Sequence, residues 1–243
     1  MKILALDIET RPNVALVWDL WSSAPVPPQA VTEATTMLCW AAKWIGDPTV
    51  HFRSTFHDNE KKMVKEIWKL LGEADAVVHY NGSKFDIPYL NMEFVRHKLG
   101  PPSPYKQIDL YKFVKKSFSF PSKKLVYVSR EFGLEGKIEH EGFALWKKCI
   151  DKDPDAWTRM RKYNIRDVEL LEDLYTKLRP WGYGLPSYGA MSGTDVCPAC
   201  GSDQLQRRGW EYTKTGRYQR YFCKCGKWSR ATKRESATAI TEI

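Results

Sequence analysis

The sequence predicts an α/β domain with a mixed sheet, followed by a small cysteine-centred module. Three observations predict it. Residues 2–10 form an apolar run, rich in Ile and Leu, with the length of one buried strand. Strand-like and helix-like segments then follow in the order β-β-β-α-β-α before giving way mostly to helices. Four of the six cysteines lie beyond residue 196, after a stretch punctuated by Gly and Pro.

The first strand, Lys2-Ile3-Leu4-Ala5-Leu6-Asp7-Ile8-Glu9-Thr10, ends in two acids two residues apart. Side chains alternate across a strand, so Asp7 and Glu9 point to one side. Two carboxylates at the end of a buried strand repel each other and resist desolvation, and a divalent cation relieves both. Residues 11–34 form a long connection with four prolines and an apolar patch of Val14, Leu16, Val17, Trp18, Leu20 and Trp21. It is open to two readings, a short hairpin arm or a loop over the active site. Residues 37–45 and 49–53 alternate as two strands around a Gly46-Asp47-Pro48 turn. Asp58 is expected to cap a helix over 59–71, whose Met63, Ile67, Leu70 and Leu71 form an apolar stripe, with Gly72 ending it.

Residues 76–80 read as a short buried strand, and Asn81-Gly82 as a turn. Phe85-Asp86-Ile87-Pro88 opens a helix to residue 98. Ile108 lies in a short extended piece, and Asp109 is read as the N-cap of the next helix. A basic aromatic stretch follows (Lys112, Lys115, Lys116, Phe118, Phe120, Lys123, Lys124), then a helix over 125–132 ending at Gly133. The last long helix spans 154–177, with Pro154 in its first turn and Pro180 just past its end.

The chain has 243 residues, 43% hydrophobic and 28% charged, an ordinary globular balance with room for one core and a small extra module. No apolar run approaches the roughly 18 residues of a membrane span, and no secretory leader is read at the N-terminus. A cytoplasmic, intracellular protein with no membrane partner is therefore expected. The formal charge of +9 suggests a polyanionic partner. Residues 181–243 carry ten Lys and Arg against five Asp and Glu, so the tail is the more strongly basic part. Cys39 and Cys149 stand alone in apolar surroundings and read as core residues.

On the last helix Tyr163 and Asp167 are four apart and share a face that Leu170, Leu171 and Leu174 continue. Asp167 is thus expected to be a buried acid in need of a partner. Asp7-Ile8-Glu9-Thr10, Asn81-Gly82-Ser83-Lys84-Phe85-Asp86 and Tyr163-Asn164-Ile165-Arg166-Asp167 together closely resemble, in order and spacing, the three exonuclease motifs of the DEDD superfamily. The tyrosine four residues before the last aspartate resembles the DEDDy branch, which includes the proofreading domains of family-B DNA polymerases. The resemblance covers roughly residues 1–180. It implies an RNase H-like fold, a mixed five-stranded sheet flanked by helices, and a 3′–5′ exonuclease using two Mg²⁺ or Mn²⁺ ions. By position it implies Asp7, Glu9, Asp86 and Asp167 as metal ligands and Tyr163 as the residue that holds the attacking water. It also implies Thr10, Asn81 and Phe85 as contacts to the substrate's 3′ end. One position departs from the family: Lys124 precedes Leu125, where a Ser or Thr is usual. His79 and His140 are given no catalytic role, because the branch places tyrosine where its sister branch has histidine.

Residues 181–194 read as a linker and 195–243 as a separate basic module. Cys197-Pro198-Ala199-Cys200 and Cys223-Lys224-Cys225 resemble the knuckles of a zinc ribbon, although the second has one intervening residue rather than two. Cys₄ is a standard structural ligand set for Zn²⁺, and an intracellular setting disfavours disulfides. So small a module cannot bury much core, so one Zn²⁺ should supply most of its folding free energy. Between the knuckles, cations and aromatics interleave, a composition suited to single-stranded nucleic acid.

The expected function is a 3′–5′ exonuclease on single-stranded DNA, whose proofreading use would need replication or repair proteins in trans. The competing readings are a 3′–5′ exoribonuclease, a structure-specific endonuclease and a non-catalytic binding protein. Retention of all four acids and Tyr163 argues against the last.

Overall fold

A computed structural model describes residues 1–21, 24–134, 141–182 and 185–240. The chain divides into two compact units, residues 2–173 and residues 174–243, the latter joined by Met1. In the larger unit, β1 (Ile3–Thr10) is the central strand. The short strands β2 (Val14–Ala15) and β3 (Val31–Glu33) form a separate two-stranded hairpin. Then come β4 (Met37–Trp44), β5 (Val50–Ser54), α1 (Glu60–Glu73), β6 (Ala76–His79), α2 (Asp86–Arg96) and β7 (Lys106–Asp109). The main sheet has five strands in the order β5-β4-β1-β6-β7. β4 runs antiparallel to both β1 and β5, whereas β1, β6 and β7 are parallel. The RNase H-like mixed sheet expected from the sequence is the observed one.

Alternation along β1 sorts its side chains. Leu4, Leu6 and Ile8 enter a core with Trp40, Met63, Val64, Ile67, Leu71, Leu90 and Phe94, so α1 and α2 cover that face. Asp7 and Glu9 therefore lie on the opposite face. That face carries α6 (Pro154–Leu178), because Lys43, paired with Ala5 on the same face, forms an ion pair with Glu172 of this helix. Between β7 and α6 lie α3 (Leu110–Ser117), α4 (Leu125–Glu131) and α5 (Phe143–Ile150).

Several local expectations change. Asn59, not Asp58, caps α1, accepting from the N–H groups of Lys61 and Lys62. Asp58 instead faces Arg53 and the Ser54 N–H. The helix also runs through Gly72 to Glu73, because Gly72 keeps helical geometry and Ala74 forms the C-cap. Tyr80 lies just outside β6. The helix α5 is not among the expected elements. Residues 11–34 include a hairpin, but Leu16, Trp18, Leu20 and Trp21 are exposed, so their apolar character does not mark a core. Among the basic aromatic stretch, Phe118 stacks on Phe120 at 5.1 Å and meets Phe132 edge-on at 5.6 Å, so these rings bury one another.

In the smaller unit, the short helix α7 (Tyr188–Ser192) precedes an antiparallel sheet. Its central strand β9 (Gly216–Cys223) pairs with β8 (Leu205–Thr213), β10 (Trp228–Arg230) and β11 (Ser236–Ala237). Gly209, at φ +65°, sits where the β8 register slips between Arg207 and Trp210, the left-handed geometry of a bulge. Arg179 anchors the start of this unit. It donates to the Tyr175 hydroxyl and to the carbonyls of Pro186 and Pro198, and its guanidinium lies 4.4 Å from the Tyr188 ring centre.

Candidate active site and cysteine centre

The acids at the end of β1 are met by two other segments. β6 pairs with β1 only through Ile3, Leu4 and Ala5, so the ladder has stopped before Ile8. The Asp86 carboxylate takes over: its Oδ1 accepts the Ile8 N–H at 3.0 Å, between Asp7 and Glu9. Asp86 is buried at the first turn of α2, and burial pushes its carboxyl up to about 7, against the pull of the Ile8 N–H. From the other face, Asn164 of α6 donates to Asp7 Oδ2 at 2.6 Å and to the Asp7 carbonyl at 3.3 Å. A register slip between Glu9 and Thr10 opposite β4 lies beside this convergence, and such irregularities often sit next to active sites.

Tyr163 and Asp167 sit on the buried face of α6, as their spacing predicts, with Leu170, Leu171 and Leu174. The tyrosine hydroxyl bonds the Asp167 carboxylate. Burial first, and then the charges of Asp167, Glu9 and Asp7, hold its phenol well above the ordinary tyrosine range. Trp146 of α5 meets the same ring edge-on at 6.1 Å. The structure thus brings Asp7, Glu9, Asp86, Tyr163 and Asp167 around the end of β1.

The loop ahead of Asp86 is built tightly. Asp109 caps α3, as expected, through the N–H groups of Tyr111 and Lys112, but the same carboxylate also accepts the Asn81 N–H at 3.0 Å and the Ser83 hydroxyl at 2.5 Å. Asn81 is left-handed, at φ +64°. At Gly82 a Cβ would stand 2.6 Å from His79 Cγ and 2.7 Å from Asp86 Oδ2, so only glycine fits. Of the other expected substrate contacts, Thr10 is half-buried at the end of β1, and Phe85 is part-exposed with its ring 4.8 Å from that of Tyr89. His79 is buried beside Asp109, and its imidazole is held below the usual histidine range by that burial. His140 lies outside the described residues.

Among the described residues, two sets of three or more ligand-type side chains close within 4.8 Å. One is Cys197, Cys200, Cys223 and Cys225. Its sulfurs lie 3.7 Å apart for Cys197 and Cys225 and 3.5 Å for Cys200 and Cys223. A tetrahedral Zn²⁺ with Zn–S near 2.3 Å spaces its sulfurs about 3.8 Å apart, so the four thiols fit that ion closely. The other set is Glu60, Glu93 and His97. There Glu93 Oε1 is engaged by Arg96 and the Met37 N–H, and His97 lies between the two carboxylates, an ion-pair network. The carboxylates gathered at the end of β1 offer the oxygen ligands that hard divalent cations prefer.

Two contributors were not visible in the sequence. The reach of Asn164 to Asp7 has no periodicity signal, although its position beside Tyr163 within the third motif marks it for attention. The double duty of Asp109 was half visible, as a cap.

A family model for the RNase H superfamily matches residues 32–179, more than half of the chain, and the chain belongs to that superfamily. No curated protein matches it. Membership assigns function at the level of metal-dependent, nuclease-type phosphodiester chemistry. The match starts after β1 and contains Asp86, Tyr163 and Asp167. Among the described residues, no helix is long and apolar enough to cross a membrane.

Proposed function

We propose that the chain is a DEDDy-type 3′–5′ exonuclease that removes nucleotides from single-stranded DNA, with a zinc ribbon that holds the strand. The observation that carries this reading is the surrounding of Tyr163 by Asp167, Glu9 and Asp7, with Asp86 hydrogen-bonded to the strand between two of them. The polarity follows from the resemblance of the three motifs to the exonuclease branch.

In this reading Asp7, Glu9, Asp86 and Asp167 hold two Mg²⁺ or Mn²⁺ ions. When bound, such a pair supplies charge stabilisation at the entering and leaving oxygens of an in-line phosphodiester displacement. Asn164 fixes the rotamer of Asp7, and the Ile8 N–H fixes that of Asp86. Tyr163 stays protonated. With its proton committed to Asp167, its oxygen lone pairs accept from a water and aim that water at phosphorus. Thr10, Asn81 and Phe85 position the terminal nucleotide, the phenyl ring offering a stacking surface. Cys197, Cys200, Cys223 and Cys225 hold a structural Zn²⁺ that closes the ribbon.

The test is digestion of 5′-labelled and 3′-labelled single strands, DNA and RNA side by side, with Mg²⁺ or Mn²⁺. Expected are a descending ladder from the 5′ label, immediate mononucleotide from the 3′ label, faster turnover of DNA, and no product with Asp7→Ala. Cleavage that ignores a blocked 3′ end would make the chain an endonuclease. An unchanged rate in Asp7→Ala would remove the assigned site.

A further inference from the structure

The antiparallel sheet of the smaller unit sorts its side chains into two unlike faces. Residues directly opposite share a face, so the pairs Phe222 with Trp228, Arg220 with Arg230 and Tyr218 with Glu211 lie together. Contacts between neighbouring pairs knit this face into a run of rings and guanidinium planes. Arg208 lies over Phe222 at 5.1 Å, Arg220 over Trp228 at 5.0 Å and Arg230 over Tyr218 at 4.2 Å, while Phe222 and Trp228 tilt against each other at 5.0 Å. Arg230 is also fixed by Glu211 at 3.0 Å. Trp228 is 45% exposed, so this face is not the module's core, which lies at the cysteine knuckles. Beside the face opens a cavity of about 490 Å³, walled by Trp228, Arg220, Arg230, Glu211, Pro198 and Gly182. That volume falls in the range that takes small organic ligands, ~300–1,000 Å³.

We propose that this face, and not the opposite one, is the single-strand site of the ribbon. One unpaired base stacks on Trp228 in the cavity, and its flanking phosphates lie on Arg220 and Arg230. The proposal rests on the reading of the ribbon as the part that holds the strand, and it names where. An exposed indole beside two guanidinium groups that wall the same cavity fits a nucleobase, since every base has a π-face and every link carries a negative charge. A duplex, whose bases are already stacked, has no base to offer.

The test uses the full chain carrying Asp7→Ala, so that the probe survives, and a fluorescent single-stranded DNA 12-mer titrated at several salt concentrations. Trp228→Leu should weaken binding about tenfold or more, and Trp228→Phe should restore most of it. Arg220→Gln should also lower the salt slope by about 0.7. Arg207→Gln and Trp210→Leu, on the opposite face, should change binding little. Equal losses from Arg207→Gln and Arg220→Gln with none from Trp228→Leu would mean attraction by charge alone. That result would overturn the face while leaving the ribbon as a strand-holding module. No loss from any of the four would overturn both, and would leave the face to an acidic protein partner. Zinc content and melting temperature equal to those of the parent confirm that each variant is folded.

Discussion

The two metal-suited centres of this molecule are assembled in opposite ways. The acids of the larger unit come from three distant stretches, Asp7 and Glu9, Asp86, and Asp167, and a large apolar core holds those stretches in place. The thiols of the smaller unit come from two short knuckles with little between them to bury: Cys197, Ala199 and Cys223, with Leu205 and Cys225 packed alongside. In the first centre the fold holds charges that repel each other. In the second the ligands stand where a core would be. Metal should therefore be needed for chemistry at one and for folding at the other.

The largest expected effect follows at the cysteines. Stripping Zn²⁺ with a chelator, or making Cys200→Ser, should unfold the ribbon, since structural Zn²⁺ contributes ~10–16 kcal/mol in comparable small modules. Limited proteolysis should then cut within residues 195–240 and spare 2–173. A ribbon that stays resistant without metal would break the comparison. The acidic centre should behave in reverse. Asp86→Asn keeps an acceptor for the Ile8 N–H and removes a buried charge. Nuclease activity should fall by at least about 10³-fold, with a melting temperature unchanged or raised. A large drop in melting temperature would show that the acid is structural. The smallest effect concerns Asn164→Ala, which deletes the bond to Asp7. It should cost about 1–3 kcal/mol of stability, and should raise the Mg²⁺ concentration needed for half-maximal activity. An unchanged Mg²⁺ dependence would reduce Asn164 to a packing residue.

Two pairs of the acidic centre were legible because they stand at periodic positions, and the resemblance of the three motifs joined them to Asp86. Two acids at alternate places on a strand, and a Tyr and Asp one turn apart on a helix, announce a shared face before any fold is known. A mixed sheet was legible in the apolar and alternating runs, and its five-stranded, RNase H-like form in the resemblance of the three motifs. What escaped depends on reach, not on period. Asn164 extends from α6 to Asp7, 157 residues away in sequence, and no spacing rule registers that. Asn59 displaced Asp58 as the α1 cap because adjacent side chains offer the same acceptor chemistry, and the choice is made by the pairing of Asp58 with Arg53. The helix α5 follows a glycine with no side-chain cap and is only eight residues long, so it carries few sequence signals. The exposed hairpin tip of residues 16–21 shows the converse: apolar composition without burial.

Gly82 has a use for anyone working with this enzyme at the bench. The usual ways of silencing such a site delete a carboxylate and so change both its charge and its ability to load metal. Adding a single methyl group at position 82 would leave the charge and the set of ligand side chains as they are. With only 2.7 Å to Asp86 Oδ2 and 2.6 Å to His79 Cγ, alanine there must displace the loop or the carboxylate while every ligand remains in the chain. Gly82→Ala is therefore expected to silence the site by geometry alone: a protein of native charge, with every ligand side chain present, whose loop or carboxylate is pushed out of place by one carbon atom.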